Sequence, residues 1–351
     1  MFIVFRGWKQ LISLVAIMAV FTTKAYAGLL LGWSGGFLSE VNGDVWFIGN
    51  NGAPELANIK PQGRLGGIYG FSGGGRIIIY PNNATFNVLI SHNGLSWENK
   101  NFRIINADNS VTLNFHPVYY NGYFYSLLSN RYLRSINGYD WYVYKLPKLP
   151  LPSGLSYSYL GKKYIGVCGG DIILADQAEK LTPSGNFMET VIYSGKNINS
   201  MSVYKTLPGD FKISHGDHNK ISCLGNNIVA IKRENIIESL HTVIIYNLRT
   251  GLERKIKVNQ ESLLADFFVS GTTQLGAIGP FGPDSNYILA FYKGKTMMEK
   301  LPFINTNNMA NIENIVTNGK GLFLATVSYG TFGGRGGMFI SDKLRDWRAV
   351  K

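Results

Sequence analysis

Catalysis needs groups that can act together, and this chain carries few such sets. His215-Gly-Asp217-His218 is its histidine cluster. Two imidazoles and a carboxylate can hold a metal, but no helix and no third histidine accompany them, so the segment reads as a solvated loop and no metal is expected. Acids are scarce, 22 in 351 residues, and several sit in turns or beside bases, as Asp140 and Asp346 do. Glu40, Asp108 and Asp266 are candidates for a paired-carboxylate mechanism by position alone. The glycine-rich stretches Gly73–Gly75 and Gly333–Gly337 open no helix and lack a lysine–hydroxyl pair, so they are turns rather than phosphate cradles. No cofactor is expected.

Aromatic residues offer a different chemistry. The chain has 20 tyrosines, and Tyr119, Tyr120, Tyr123, Tyr125, Tyr132, Tyr142 and Tyr144 crowd one stretch together with Arg131 and Arg134. Aromatic faces stack on sugars and anchor protein partners, and guanidinium groups beside them hold acidic groups. Arg103, Tyr119, Tyr120, Arg131 and Arg134 are therefore the binding candidates. Packing between sheets is the plainer role for most of these rings.

The elements that must position such residues are strands. Three segments share one pattern: Ser91-His-Asn93-Gly94-Leu-Ser-Trp97, Ser135-Ile-Asn137-Gly138-Tyr-Asp-Trp141 and Ser341-Asp342-Lys-Leu-Arg-Asp-Trp347. Each combines a strand end, a tight turn and a tryptophan. Asn-Gly tolerates the positive φ of a hairpin turn, the serine hydroxyl can satisfy turn backbone, and the tryptophan can wedge between neighbouring sheets. Ser91 and Ser135 lie 44 positions apart, the size of one four-stranded propeller blade.

Period-two strands and Gly/Asn turns recur in seven hairpins: Phe37–Val41/Val45–Ile48, Gly67–Gly70/Arg76–Tyr80, Pro117–Tyr120/Tyr123–Leu128, Ser156–Leu160/Tyr164–Val167, Ile221–Leu224/Ile228–Ile231, Leu275–Ile278/Tyr287–Phe291 and Ile315–Thr317/Leu322–Val327. Isolated hairpins cannot bury their faces, whereas radial stacking covers each one and protects its edges. The expected fold is an all-β single propeller over residues 28–351, with seven blades and six as the runner-up. Leu29–Trp33 is expected to close the ring against the last unit. The first and sixth units look short, and Ser194–Lys220 and Asn259–Thr273 read as insertions on the binding face.

The serine–turn–tryptophan segments resemble the Asp-box, or BNR repeat, of the sialidase-like superfamily of propellers. Two copies carry Asn for Asp, the loop is one residue shorter, and the third copy lacks the glycine. The resemblance implies a propeller, with the motif holding its outer hairpins. It also raises a sialidase-type glycoside hydrolase as an alternative, which would use three arginines, a tyrosine–glutamate pair and an aspartic acid. Phe102-Arg103-Ile104-Ile105 looks similar to the segment bearing the first arginine, but lacks its proline and follows a motif copy.

The N-terminus reads as a signal peptide, residues 1–27. Arg6 and Lys9 precede the apolar run Leu11–Phe21, and Ala25-Tyr-Ala27 fits a cleavage site. The run is short of the roughly 20 residues a spanning helix needs, so no transmembrane segment is expected. Losing Arg6, Lys9 and Lys24 takes the formal charge from +12 to +9. A basic surface suits acidic glycans or peripheral contact with anionic surfaces; after export, nucleic acid is not an expected partner. Cys168 and Cys223 can form one disulfide in a periplasmic or extracellular setting, or remain two buried thiols. The reading is an exported, non-enzymatic binding or scaffold module whose partner is a protein or an acidic glycan.

Overall fold

The computed structural model describes residues 30–41, 44–57, 59, 69–80, 87–106, 117–128, 130–157, 164–209, 220–224, 226–235, 240–259, 267–270, 274–278, 287–292, 295–300, 310–318, 320–329, 336–342 and 347–350. They form a β-propeller of seven sheets that follow one another in chain order. The inner strands are Leu30–Trp33, Tyr69–Gly73, Val118–Tyr120, Tyr164–Cys168, Lys220–Leu224, Phe267–Ser270 and Ala310–Thr317. Each touches the next, and the seventh touches the first, so the ring closes.

Burial follows from stacking blades on both faces. Second strands carry consecutive buried apolar residues rather than an alternation, as in Ile77, Ile78 and Ile79 of Arg76–Tyr80 and Ile172–Ala175 of Asp171–Thr182. The outermost strand of blade 2, Glu98–Asn101, is mostly exposed and polar. Core residues gather at the seams. Leu38, Val45, Ile77 and Ile79 join blades 1 and 2; Phe71, Ile78, Phe124 and Trp141 join blades 2 and 3. Each such side chain contributes about 1.5–3 kcal/mol by leaving water.

The ring closes by face contact, not by strand exchange. Leu30–Trp33 pairs with Gly36–Val41 inside the first sheet and, as expected, closes the ring against the last unit, where it meets Ala310–Thr317. Phe37 and Ile48 of blade 1 pack on Leu324 and Ile340 of blade 7. Gly32 makes the approach possible: a Cβ there would stand 2.0 Å from the Thr317 carbonyl oxygen. The Asn318 amide donates to Asn50 Oδ1 at 2.8 Å across the same seam.

Several expectations are corrected by the strand order. In blades 1 and 6 the hairpins read as strands one and two are strands two and three, because Leu30–Trp33 and Phe267–Ser270 lie inside them. Neither blade is short. Asn259–Thr273 therefore contains an inner strand, and Ser194–Lys220 contains the fourth strand of blade 4, Ser202–Pro208. In blade 4, Leu155–Tyr157 and Tyr164–Cys168 do not pair with each other; both pair with the long strand Asp171–Thr182. Residues 158–163 and 210–219, with His215, Asp217 and His218, lie outside the described residues, as do Asp108, Asp266 and residues 1–29.

Blade 3 has a fifth strand. Arg103–Ile105 continues the course of Glu98–Asn101 and runs parallel along Asp140–Lys145, strapping blade 2 to blade 3. Phe102, buried at the crossover, sets its ring against Tyr80 at 5.3 Å.

Candidate functional site

The repeated turn connects third and fourth strands and builds seams. Ser91 Oγ accepts from Gly94 N at 2.8 Å, and Asn93 Oδ1 accepts from Leu95 N and Ser96 N, each at 2.9 Å. Ser135 and Asn137 repeat this: Gly138 N donates to Ser135 Oγ at 2.8 Å, Asp140 N to Asn137 Oδ1 at 2.8 Å. Trp97 and Trp141 each return an indole N–H to the turn glycine's carbonyl, at 3.1 and 2.9 Å. Ser341, Asp342 and Trp347 frame the third copy, whose residues 343–346 lie outside the described residues. Blade 5 keeps only the amide: Asn247 Oδ1 accepts from Arg249 N and Thr250 N.

Antiparallel order puts these turns at one end of every blade, with the strand one–two turns. Connections between blades and strand two–three turns lie at the other end. The binding candidates divide accordingly. Arg103 sits on the strap at the outer edge of blade 3, its Nε 2.6 Å from Asp140 Oδ1. That pairing, aided by Asn137, holds the Asp140 carboxyl below its ordinary range. Tyr119 faces blade 2, where its ring covers Gly73 and Gly74, and packs on Phe124 at 5.0 Å. Tyr120 faces blade 4 and donates its hydroxyl to the Gly170 carbonyl at 2.9 Å. Arg131 stands between Leu128 and Lys145 on the third strand.

Arg134 is the candidate around which rings converge. Cross-strand pairing sets Tyr125 and Tyr142 on either side of it, and Tyr132 opposite Tyr144. Its guanidinium lies 4.7 Å from the Tyr123 ring centroid and 4.8 Å from that of Tyr144, whose hydroxyl accepts from Nη2 at 3.0 Å. Tyr144 stacks on Tyr132 at 5.2 Å. Tyr142 is 42% exposed, so this group reaches the surface. A planar cation flanked by aromatic faces can meet a carboxylate edge-on and a sugar ring face-on. The structure thus brings Arg134 together with Tyr123, Tyr125, Tyr132 and Tyr144, sets Tyr142 within electrostatic reach of Arg103 on the same sheet, and leaves Tyr119 elsewhere. Tyrosine crowding was the visible signal; which rings meet depends on strand register.

Blades 4 and 5 are joined by a covalent tie. Cys168 and Cys223, on adjacent inner strands, form a disulfide with Cα atoms 5.3 Å apart. On the outer strands Lys205 Nζ lies 2.8 Å from Glu253 Oε2 and 3.8 Å from the centre of the Tyr246 ring. Among the described residues, no group of three or more His, Cys, Asp and Glu could hold a metal, and no helix is long and apolar enough to cross a membrane.

No family model matches the chain, and no curated protein matches it. Solved structures similar to it include a eukaryotic initiation factor, at 11% identity and a TM-score of 0.39, covering 92% of this chain and 74% of that one. The N-terminal domain of Nup159 is similar at 10% identity and a TM-score of 0.45, covering 91% and 90%. A prolyl endopeptidase structure is similar at 12% identity and 0.49, covering 97% of this chain and 52% of that one.

Proposed function

We propose that this chain is an exported, non-enzymatic recognition or scaffold module whose blade 3 meets an acidic glycan or a protein. The observation that carries the reading is Arg134, set between the rings of Tyr123 and Tyr144 beside the exposed Tyr142. Export is supported by the apolar N-terminal run and by the Cys168–Cys223 disulfide, which an oxidising compartment sustains. The serine–turn–tryptophan geometry in blades 2 and 3 supports kinship with Asp-box propellers. The sialidase-type reading has less behind it: Arg103 is engaged with Asp140 at the outer edge of its blade, far in the fold from the inner strands.

A glycan array probed with the purified mature protein tests the proposal. Binding to acidic glycans should be lost in Arg134→Ala and kept in Arg103→Ala. If no glycan binds, crosslinking to host envelope or medium proteins should depend on Arg134 in the same way. Turnover of a fluorogenic sialoside that Arg103→Ala abolishes would reverse the assignment in favour of a hydrolase.

A further inference from the structure

At the end of the ring opposite the serine–turn–tryptophan turns, blade 4 outgrows its own neighbouring strands. Its second and third strands, Asp171–Thr182 and Gly185–Gly195, form a ladder of eleven facing pairs. The inner strand Tyr164–Cys168 follows that ladder only to Ala175, and the short strand Leu155–Tyr157 only to Lys180. On the outer side Ser202–Pro208 stops at Glu189, and Gly209 N makes one further bond to the Met188 carbonyl. Past Lys180 and Met188 the ladder has, among the described residues, only its own two strands. The hairpin therefore projects beyond the body of the blade.

Its tip is apolar on both sides. Leu181 pairs with Asn186 and Phe187 with Lys180, so strand alternation sends the Leu181 and Phe187 side chains to opposite faces. They are 68% and 51% exposed. The stretch Leu181–Met188 carries no charge, and the ion pair of Lys180 with Glu189, at 3.5 Å, marks where charge begins. The turn also satisfies its own polar groups. Thr182 Oγ1 donates to the Gly185 carbonyl at 2.9 Å and lies 3.0 Å from Ser184 Oγ, while Pro183 has no N–H to satisfy. Two exposed lysines stand near the base: Lys145 ends the fourth strand of blade 3, and Lys148 lies in the connection that follows. That connection is tied to blade 4 by the Tyr157 hydroxyl, which donates to the Leu149 carbonyl.

One flat protein face would cover a single side of this hairpin and leave the other in water. A medium that surrounds the tip covers both, and it costs little to enter when the backbone and turn are already paired. We propose that the hairpin tip enters the headgroup–acyl boundary of an anionic membrane, with Leu181 and Phe187 in the apolar layer and Lys145 and Lys148 on the headgroups. The dimensions agree. Two residues per strand past the level of Lys180, at about 3.4 Å each, reach roughly 7 Å, and interfacial segments sink about 5–10 Å. The chain's formal charge of +12 favours the same surface. Arg134 lies next to the Ser135 turn at the opposite end of its blade, so a membrane-seated ring holds it toward solvent. The two proposals stand or fall separately.

The test sediments the mature protein with vesicles of phosphatidylcholine alone or mixed with phosphatidylglycerol. The protein should bind the anionic vesicles, and added salt should weaken that binding. Leu181→Ser with Phe187→Ser should lower the partition coefficient about tenfold or more, because two large apolar side chains no longer leave water. Thermal unfolding should not move, since both side chains are exposed in the parent. Lys145→Gln and Lys148→Gln should each weaken binding severalfold on anionic vesicles. An environment-sensitive dye on Ser184→Cys should shift to the blue on those vesicles. The same dye on Thr250→Cys, in a turn at the opposite end of the ring, should not. Absence of binding to anionic vesicles overturns the proposal and leaves the tip to a protein groove. So does binding that survives loss of both apolar side chains, or a tip dye that stays unshifted on bound vesicles.

Discussion

The indole Nε1 of Trp141 lies 3.1 Å from the Tyr80 hydroxyl, joining blade 3 to blade 2. The contact is part of a closed set. The same indole N–H also reaches the Gly138 carbonyl at 2.9 Å, and the Tyr80 hydroxyl donates to that carbonyl at 2.5 Å. Both rings sit among Phe71, Ile78 and Phe124, where burial pushes the Tyr80 pKa well up and keeps the phenol a donor.

Removing that hydroxyl should therefore loosen one seam without emptying it. Tyr80→Phe keeps the ring and loses two hydrogen bonds, a cost of about 1–3 kcal/mol where the remaining groups stay buried. Denaturant unfolding should show the midpoint falling with an unchanged slope. A variant as stable as the parent would mean that packing alone holds the seam.

Gly138 tests the turn itself. Its φ is +84°, and a Cβ would stand 2.0 Å from Ile78 Cδ1 on the neighbouring blade. Gly122 has φ +86° with nothing near its missing Cβ. Gly122→Ala should cost about 1–2 kcal/mol for backbone conformation alone, whereas Gly138→Ala should add about 1–3 kcal/mol of overpacking. Shortening the obstructing side chain with Ile78→Val should recover part of that increment in the double variant. Simple addition of the two single effects would show that the clash is relieved by backbone movement instead.

The particular residues explain which parts of this architecture could be read from the chain. Asn121-Gly122 and Asn137-Gly138 announce their turns because few other residue pairs accept the required φ, and the strands on either side alternate or run apolar as stacked blades demand. Leu30–Trp33 and Phe267–Ser270 carry no such punctuation; each is a short apolar run whose partner is set by tertiary pairing, so the hairpins beside them were placed one strand too far in. The hairpin of blade 4 is legible in part, as Ile172–Ala175 and Met188–Tyr193, but not in its full length. Its distal half, Gln177-Ala-Glu-Lys-Leu-Thr182, looks polar because it stands clear of the blade. Arg134 was visible as an arginine among tyrosines, but its two ring neighbours come from different strands, and only the pairing register selects Tyr123 and Tyr144 from the crowd.

The disulfide should matter to the whole ring, because it fixes two adjacent inner strands 55 residues apart in sequence. Restricting the unfolded chain in this way stabilises by roughly 2–4 kcal/mol. Thermal unfolding of the oxidised protein should shift down on adding reductant, and Cys168→Ala with Cys223→Ala should unfold at the reduced protein's temperature whether or not reductant is present. Reductant that leaves the parent's transition unmoved would show that closure elsewhere already sets its stability.

Acid should release the outer tie between the same two blades. Hydrogen bonding to Lys205, with smaller help from Tyr246 and Lys255, lowers the Glu253 pKa from 4.5 to about 2. A carboxyl whose folded pKa is depressed stabilises the fold fully above its unfolded value, and that stabilisation is lost as pH falls through the folded one. The window is therefore pH 4.5 down to about 2. Lys205 behaves in the mirror sense: burial opposes its charge, but bonding to Glu253 and Tyr246 outweighs this and raises its pKa above 10.5. Its contribution holds below pH 10.5 and fades as pH rises beyond the folded value. Denaturant unfolding of the parent and Glu253→Gln across pH should show a stability difference that is flat between about pH 5 and 10 and closes at both extremes. Because Glu253 is partly exposed, added salt should shrink the plateau as well. A difference that persists unchanged at pH 2 would place its origin in packing around Tyr246 rather than in the ion pair.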